Sequence, residues 1–100
     1  MSGQTFKGKL AKGLKIGDEV HKDFELREAT TQDVFDAEAQ PGVHVSKPVT
    51  FAAALLCLQL LRIGTYAGPF TVKLLGSLSK SDFSKLRAAQ EELDQLGEAG

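Results

Sequence analysis

One hundred residues, 42% apolar and 25% charged, are enough to bury the core of one globular domain and too few for two well-packed ones. A net charge of −1 lacks the basic excess with which nucleic-acid proteins meet phosphates, so nucleic acid is not an expected partner. The single cysteine, Cys57, cannot close an internal disulfide, which fits a reducing cytoplasm.

Met1 to Leu10 alternates lysine, glycine and polar residues without the apolar stretch of a secretory signal, so no export is expected, and residues 1–5 are expected to be flexible. Charge then divides the chain. Residues 1–16 carry Lys7, Lys9, Lys12 and Lys15 with no acid, whereas residues 17–38 carry eight acids against Lys22 and Arg27. Between Glu38 and Asp82 there is no acid, only Lys47, Arg62, Lys73 and Lys80 among most of the large apolar residues.

Phe6, Leu10, Leu14 and Ile16 share one parity and Lys7, Lys9 and Lys15 the other, as in a strand with one wet face; Lys12 breaks the pattern. Val20, Phe24 and Leu26 resume the alternation against His21, Asp23, Glu25 and Arg27, with Lys22 as the exception. The glycine-led segment Gly17 to Glu19 between them suits a hairpin loop, so residues 6–27 read as a β-hairpin whose lysine-rich strand faces an acid-rich one. Cross-strand pairs of this kind contribute roughly 0.2 to 1 kcal/mol each.

Thr30 or Thr31 can cap a short helix that has Asp33 in its first turn and runs to about Ala39, where Gln40, Pro41 and Gly42 stop it. Ser46 or Thr50 then opens the strongest helical stretch, with Pro48 tolerable in the first turn, Phe51 to Ile63 helical, and Gly64 at the C-terminal cap. Its six leucine and isoleucine side chains contribute on the order of 12 kcal/mol if fully buried. This helix is therefore either the core or partly covered by another chain. At 13 residues it is short of the roughly 20 that span a bilayer, so no membrane span is expected.

Tyr66, Gly68 and Pro69 form a break, and Phe70 to Leu75 is a short helix or turn before Gly76 and Ser77. Ser79 with Asp82 three positions later resembles a capping signal, after which Phe83, Leu86, Leu93 and Leu96 recur at helical spacing. Residues 97–100 are expected to be flexible. The expected fold is thus α+β: one domain over residues 1–100, with a β-hairpin at 6–27 and three to four α-helices within 30–97.

Reactive chemistry is not apparent. Gly8 to Lys15 has the two glycines of a phosphate-binding loop, but Leu14 stands where the phosphate-reaching lysine belongs and Lys15 where the magnesium-holding hydroxyl belongs. Cys57 sits among Leu55, Leu56 and Leu58, where a thiol resists ionisation, so pairing with His21 or His44 as nucleophile and base is not favoured over an inert core position. Two histidines and one cysteine lack the paired spacing of zinc sites, and Asp33, Asp36 and Glu38 lie on a predicted helix, reading as a solvated face and not a calcium loop. No catalytic residue, cofactor or metal is expected. The apolar stripes are core or partner surface, and Phe83, Leu86, Leu93, Leu96, Leu56 and Leu60 are the candidate partner-binding positions.

Leu26-Arg27-Glu28-Ala29-Thr30 leading from a strand to a helix with Asp33, an apolar helix after it, and Leu78-Ser79 to Asp82-Phe83 opening a final helix with Leu86 resemble the tail assembly chaperones of contractile-tailed, Mu-like phages and prophages. The likeness spans roughly residues 8–95, and the extended apolar stretch Phe51 to Ile63 and the lysine-rich opening fall outside its pattern. It implies a non-catalytic protein of the bacterial host cytoplasm that binds the tape measure protein, keeps it soluble and helps tail tube subunits polymerise around it. It also implies a longer frameshifted product in many such families. The alternative is a structural subunit of the phage particle, or a small host adaptor that dimerises through its C-terminal helix.

Overall fold

The computed structural model describes residues 5–40 and 46–99, the side chains of 96–99 excepted. Strands β1 (Thr5–Ile16) and β2 (Glu19–Arg27) form the expected hairpin, and helices α1 (Thr31–Glu38) and α2 (Pro48–Gln59) follow. A third strand, β3 (Leu60–Ile63), precedes helices α3 (Val72–Leu75) and α4 (Lys80–Ala99). The architecture is α+β, as the alternation and helical periods predicted. One face of the sheet is covered by helices; the other carries Lys7 opposite Glu25, and Arg62 3.4 Å from Glu25.

The sheet order is β1-β2-β3, antiparallel throughout. Lys9 faces Asp23 and lies 3.7 Å from it, but both side chains are well exposed, so this pair adds little. Five steps along β1, from Lys9 to Leu14, answer only two along β2, from Asp23 to His21. Lys12, which broke the alternation, sits in this bulge. Its backbone is turned aside because the Asp82 carboxylate at the start of α4 accepts the N–H groups of Ala11, Lys12 and Gly13 at 2.7, 3.0 and 2.9 Å. Gly13 takes φ +93 there, and a Cβ would come within 2.8 Å of the His21 carbonyl oxygen, so only glycine suits the turn.

Thr30 caps α1 in a reciprocal box with Asp33. The acids of this helix do not all lie on a solvated face as expected: Asp36 and Glu38 are exposed, but Asp33 is buried. The reason is Arg27, whose guanidinium donates to both oxygens of Asp33 at 2.7 and 3.0 Å and to the Leu58 carbonyl of the last turn of α2 at 2.8 Å. One side chain thereby joins β2, α1 and α2. Pro41 to Val45 lie outside the described residues, so the turn expected at Pro41 and Gly42 does too.

Neither Ser46 nor Thr50 caps α2; its N-cap residue is Lys47, with Pro48 in the first turn. The helix also stops four residues earlier than its apolar content suggested. Leu60 turns extended at φ −67, ψ 122, and Leu60, Arg62 and Ile63 pair with Leu26, Glu25 and Phe24. An apolar run cannot by itself distinguish a helical end from a strand; here the open edge of β2 supplies backbone partners that a longer helix would forgo. Gly64 follows at φ +62, tight against the ring of His21, and ends a strand where it was expected to end a helix.

The break at Tyr66 to Pro69 is present, with the Tyr66 hydroxyl donating to the Pro69 carbonyl at 2.6 Å. Thr71 caps α3, and Ser79 accepts the Asp82 N–H at 3.2 Å to open α4, which reaches Ala99. Helix thus extends into the segment expected to be flexible; residues 1–4 and Gly100 lie outside the described residues, and Thr5 is already in β1. The core forms between sheet and helices from Leu10, Leu14, Phe24, Leu26, Leu56, Leu60, Ile63, Leu75, Leu86 and Leu93.

Candidate functional site

Among the described residues, Cys57 and His21 both serve the fold; His44 lies outside them. Burial pushes the Cys57 thiol up to about 11, so it stays protonated and weakly nucleophilic near neutrality. His21 is buried and accepts the Thr65 amide on Nδ1 at 3.4 Å, which fastens the turn after β3 to β2. A depression of about 560 Å³ lies over it, lined by the charged Lys9, Glu19, Lys22 and Asp23 together with Val20, an open and mixed-charge surface. Among the described residues, no group of three or more His, Cys, Asp or Glu side chains could hold a metal ion. The loop-like string Gly8 to Lys15 does gather backbone amides around an anion, and that anion is the protein's own Asp82.

Two buried glutamines fix α4 against α2. Gln59 donates to the Arg27 carbonyl at 3.0 Å, and Gln90 donates to the Gln59 side-chain oxygen at 2.8 Å while accepting from Arg87 at 2.8 Å. A buried amide left unpaired would be costly, so this chain of bonds sets the spacing of the two helices. Further towards the N-terminal ends of the same helices, no such chain fills the space among the described residues.

There the surface opens into an apolar groove. One part, about 260 Å³, lies between α2, α3 and α4 and is lined by Val49, Ala53, Val72, Leu75, Leu78 and Phe83. A second, about 510 Å³, continues along α4 past Val49, Phe83, Ser84, Arg87, Ala88 and Glu91, with Lys80 at its border. Val49, 64% exposed, is shared by both parts and is the most exposed large apolar side chain described. Two cations, Lys80 and Arg87, and one exposed acid, Glu91, line this second part. Arg87 lies 3.6 Å from Glu91, and the Asp82 carboxylate is wholly buried, its charge taken up by β1.

The groove contains one of the six candidate partner-binding positions, Phe83, which is half-buried with its ring between groove and core. Leu86, Leu93 and Leu56 are fully buried, and Leu60 is 6% exposed. These four are core in this conformation, because α4 turns its leucine stripe onto the sheet. The Leu96 side chain lies outside the described residues. Val49, Val72, Leu78 and Ala88 are groove residues that spacing did not single out. Val49 precedes the periodic part of α2, and only the approach of α3 and α4 makes it part of a surface. Its one sequence signal is an apolar residue directly after a helix-opening proline.

The chain is 33% identical over 99 residues to the probable tail assembly protein gp41 of Escherichia phage Mu, covering 86% of this chain and 69% of that one. It is 33% identical over 99 residues to the probable tail assembly protein FS-gp41 of the same phage, and spans 53% of that protein's length. The Mu-like prophage FluMu protein gp41 of Haemophilus influenzae is 30% identical over 87 residues, 77% of this chain and 68% of the relative. No solved structure matches it. The family described as tail assembly protein gp41 matches residues 10–99, and the chain belongs to that Mu-like phage family.

Proposed function

We propose that this chain is a phage tail assembly chaperone: it binds the tape measure protein in the bacterial host cytoplasm, keeps it soluble, and helps tail tube subunits polymerise around it. It acts without catalysis or cofactor, and neither nucleic acid nor membrane is its partner. The observation that carries this reading is the groove around Val49 and Phe83, an apolar surface left open among the described residues of a member of a tail assembly family. A long helical partner exposes apolar stripes until the tube encloses it. A small protein with a shallow groove can cover such a stripe and still leave, because a partly exposed contact of this size holds only moderately. No described helix is long and apolar enough to cross a membrane.

The test separates a transient helper from a structural subunit. In cells that lack this chain, the tape measure protein encoded nearby should move to the insoluble fraction, and mass spectrometry of purified wild-type particles should find the chain absent. Its stoichiometric retention in finished particles would replace the chaperone reading with that of a structural subunit.

A further inference from the structure

We infer that the segment docking in the groove is an amphipathic helix whose apolar ridge is flanked by aspartates and glutamates. This rests on the chaperone reading and specifies the chemistry of the partner. The two apolar depressions share Val49 and Phe83 and run together from Leu78 to Glu91, an elongated shape that fits a helical ridge better than a compact ligand.

Charge decides what flanks that ridge. Between Glu38 and Asp82 the chain has no acid, and the elements around the groove carry Lys47 before α2, Lys73 on α3 and Lys80 at the start of α4. All three are exposed, and none has an ion-pair partner among the described residues. Of the nearby acids, Asp82 is enclosed by the amides of Ala11, Lys12 and Gly13, and Glu91, which lines the groove, has Arg87 3.6 Å away as its counter-charge, leaving Lys80 as the unbalanced charge of the lining. A helix with basic flanks would bring like charge to Lys80, whereas an acidic flank would find unpaired cations on arrival.

Overlapping synthetic peptides covering the nearby-encoded tape measure protein, titrated with the purified full chain, provide the test. Peptides that bind should carry an apolar stripe at helical spacing with acids beside it. Their affinity should fall roughly three- to tenfold with Lys80→Glu at low salt, should survive Lys80→Arg, and should fall for wild type at about 1 M salt, where screening is short-ranged. Lys80→Glu places an acid in the first turn of α4, which favours the helix, so lost binding would not reflect lost fold. Bound peptides with basic or neutral flanks, or affinities indifferent to Lys80→Glu, overturn the inference and leave the chaperone reading standing. If no peptide binds, the inference falls, and co-expression with the intact partner separately decides the broader reading.

Discussion

Asp82→Asn is expected to be among the most destabilising near-isosteric changes in this protein. The Asp82 carboxylate is wholly buried; one oxygen accepts the Ala11 amide at 2.7 Å and the other accepts Lys12 and Gly13 at 3.0 and 2.9 Å. Hydrogen bonds to a charged acceptor are worth about 1.5 to 3 kcal/mol each. In asparagine one oxygen becomes an NH₂, so at least one backbone N–H meets a donor, and the remaining bonds lose their charge. A loss of about 3 kcal/mol follows, which for a domain of this size lowers Tm by roughly 12 to 24 °C. Urea unfolding followed by circular dichroism gives the free energy, and hydrogen exchange at Ala11, Lys12 and Gly13 shows whether the loss is local to the bulge. Burial alone would raise the pKa of this carboxyl, but the amides of Gly13, Ala11 and Lys12, with Ser79, more than offset it and hold it below the usual carboxylate range. A depressed folded-state pKa stabilises above the unfolded value and is lost as pH falls through the folded one, so the gap between wild type and Asp82→Asn should narrow below about pH 4. A cost under about 1 kcal/mol, with unchanged exchange at the three amides, would refute the reasoning.

Three further outcomes follow from the same contacts. The Arg27 hydrogen bonds, opposed by burial and assisted by Thr30, hold Asp33 at about 2 against its ordinary 3.8, so its stabilisation, roughly 2 kcal/mol, is complete above about pH 4 and lost towards pH 2. Acid titration of stability for wild type and Asp33→Asn should show the two converging in that window. Leu86→Ala and Leu93→Ala, at fully buried positions, should each cost about 2 to 5 kcal/mol, and lysine at either should unfold the chain, as thermal denaturation will show. Cys57, with its thiol raised to about 11, should react with a disulfide reagent at pH 8 far more slowly in the folded chain than in urea, the two rates being compared by absorbance.

Much of this fold is legible in the order of residues, and the exceptions share a cause. The hairpin follows from the parity of Phe6, Leu10, Leu14, Phe24 and Leu26, and α4 from its cap and stripe, because each depends on neighbours a few positions away. Leu60 to Ile63 become strand because of Leu26 and Phe24, some 35 residues earlier along the chain, which no local period records. Asp82 reads locally as part of a capping signal, yet its main partners lie 69 to 71 positions away. Asp33 reads as one of three solvated acids until Arg27 folds against it. The groove was half legible for the same reason. Phe83 belongs to the stripe of α4, but Val49 acquires its role only when three helices converge, and the stripe's own leucines turn inward.

The measurement closest to the central claim is co-expression of this chain with the tape measure protein encoded nearby, followed by size-exclusion chromatography of the soluble fraction, for wild type and Val49→Asp. Val49 is exposed in the first turn of α2, where an aspartate favours the helix, so the variant should fold with stability within about 0.5 kcal/mol of wild type. The account predicts a soluble complex with wild type, and with Val49→Asp a folded chain eluting alone while the tape measure protein is insoluble. A tape measure protein equally soluble without this chain, eluting apart from it, would contradict the chaperone reading; an undiminished complex with Val49→Asp would contradict the groove as its seat.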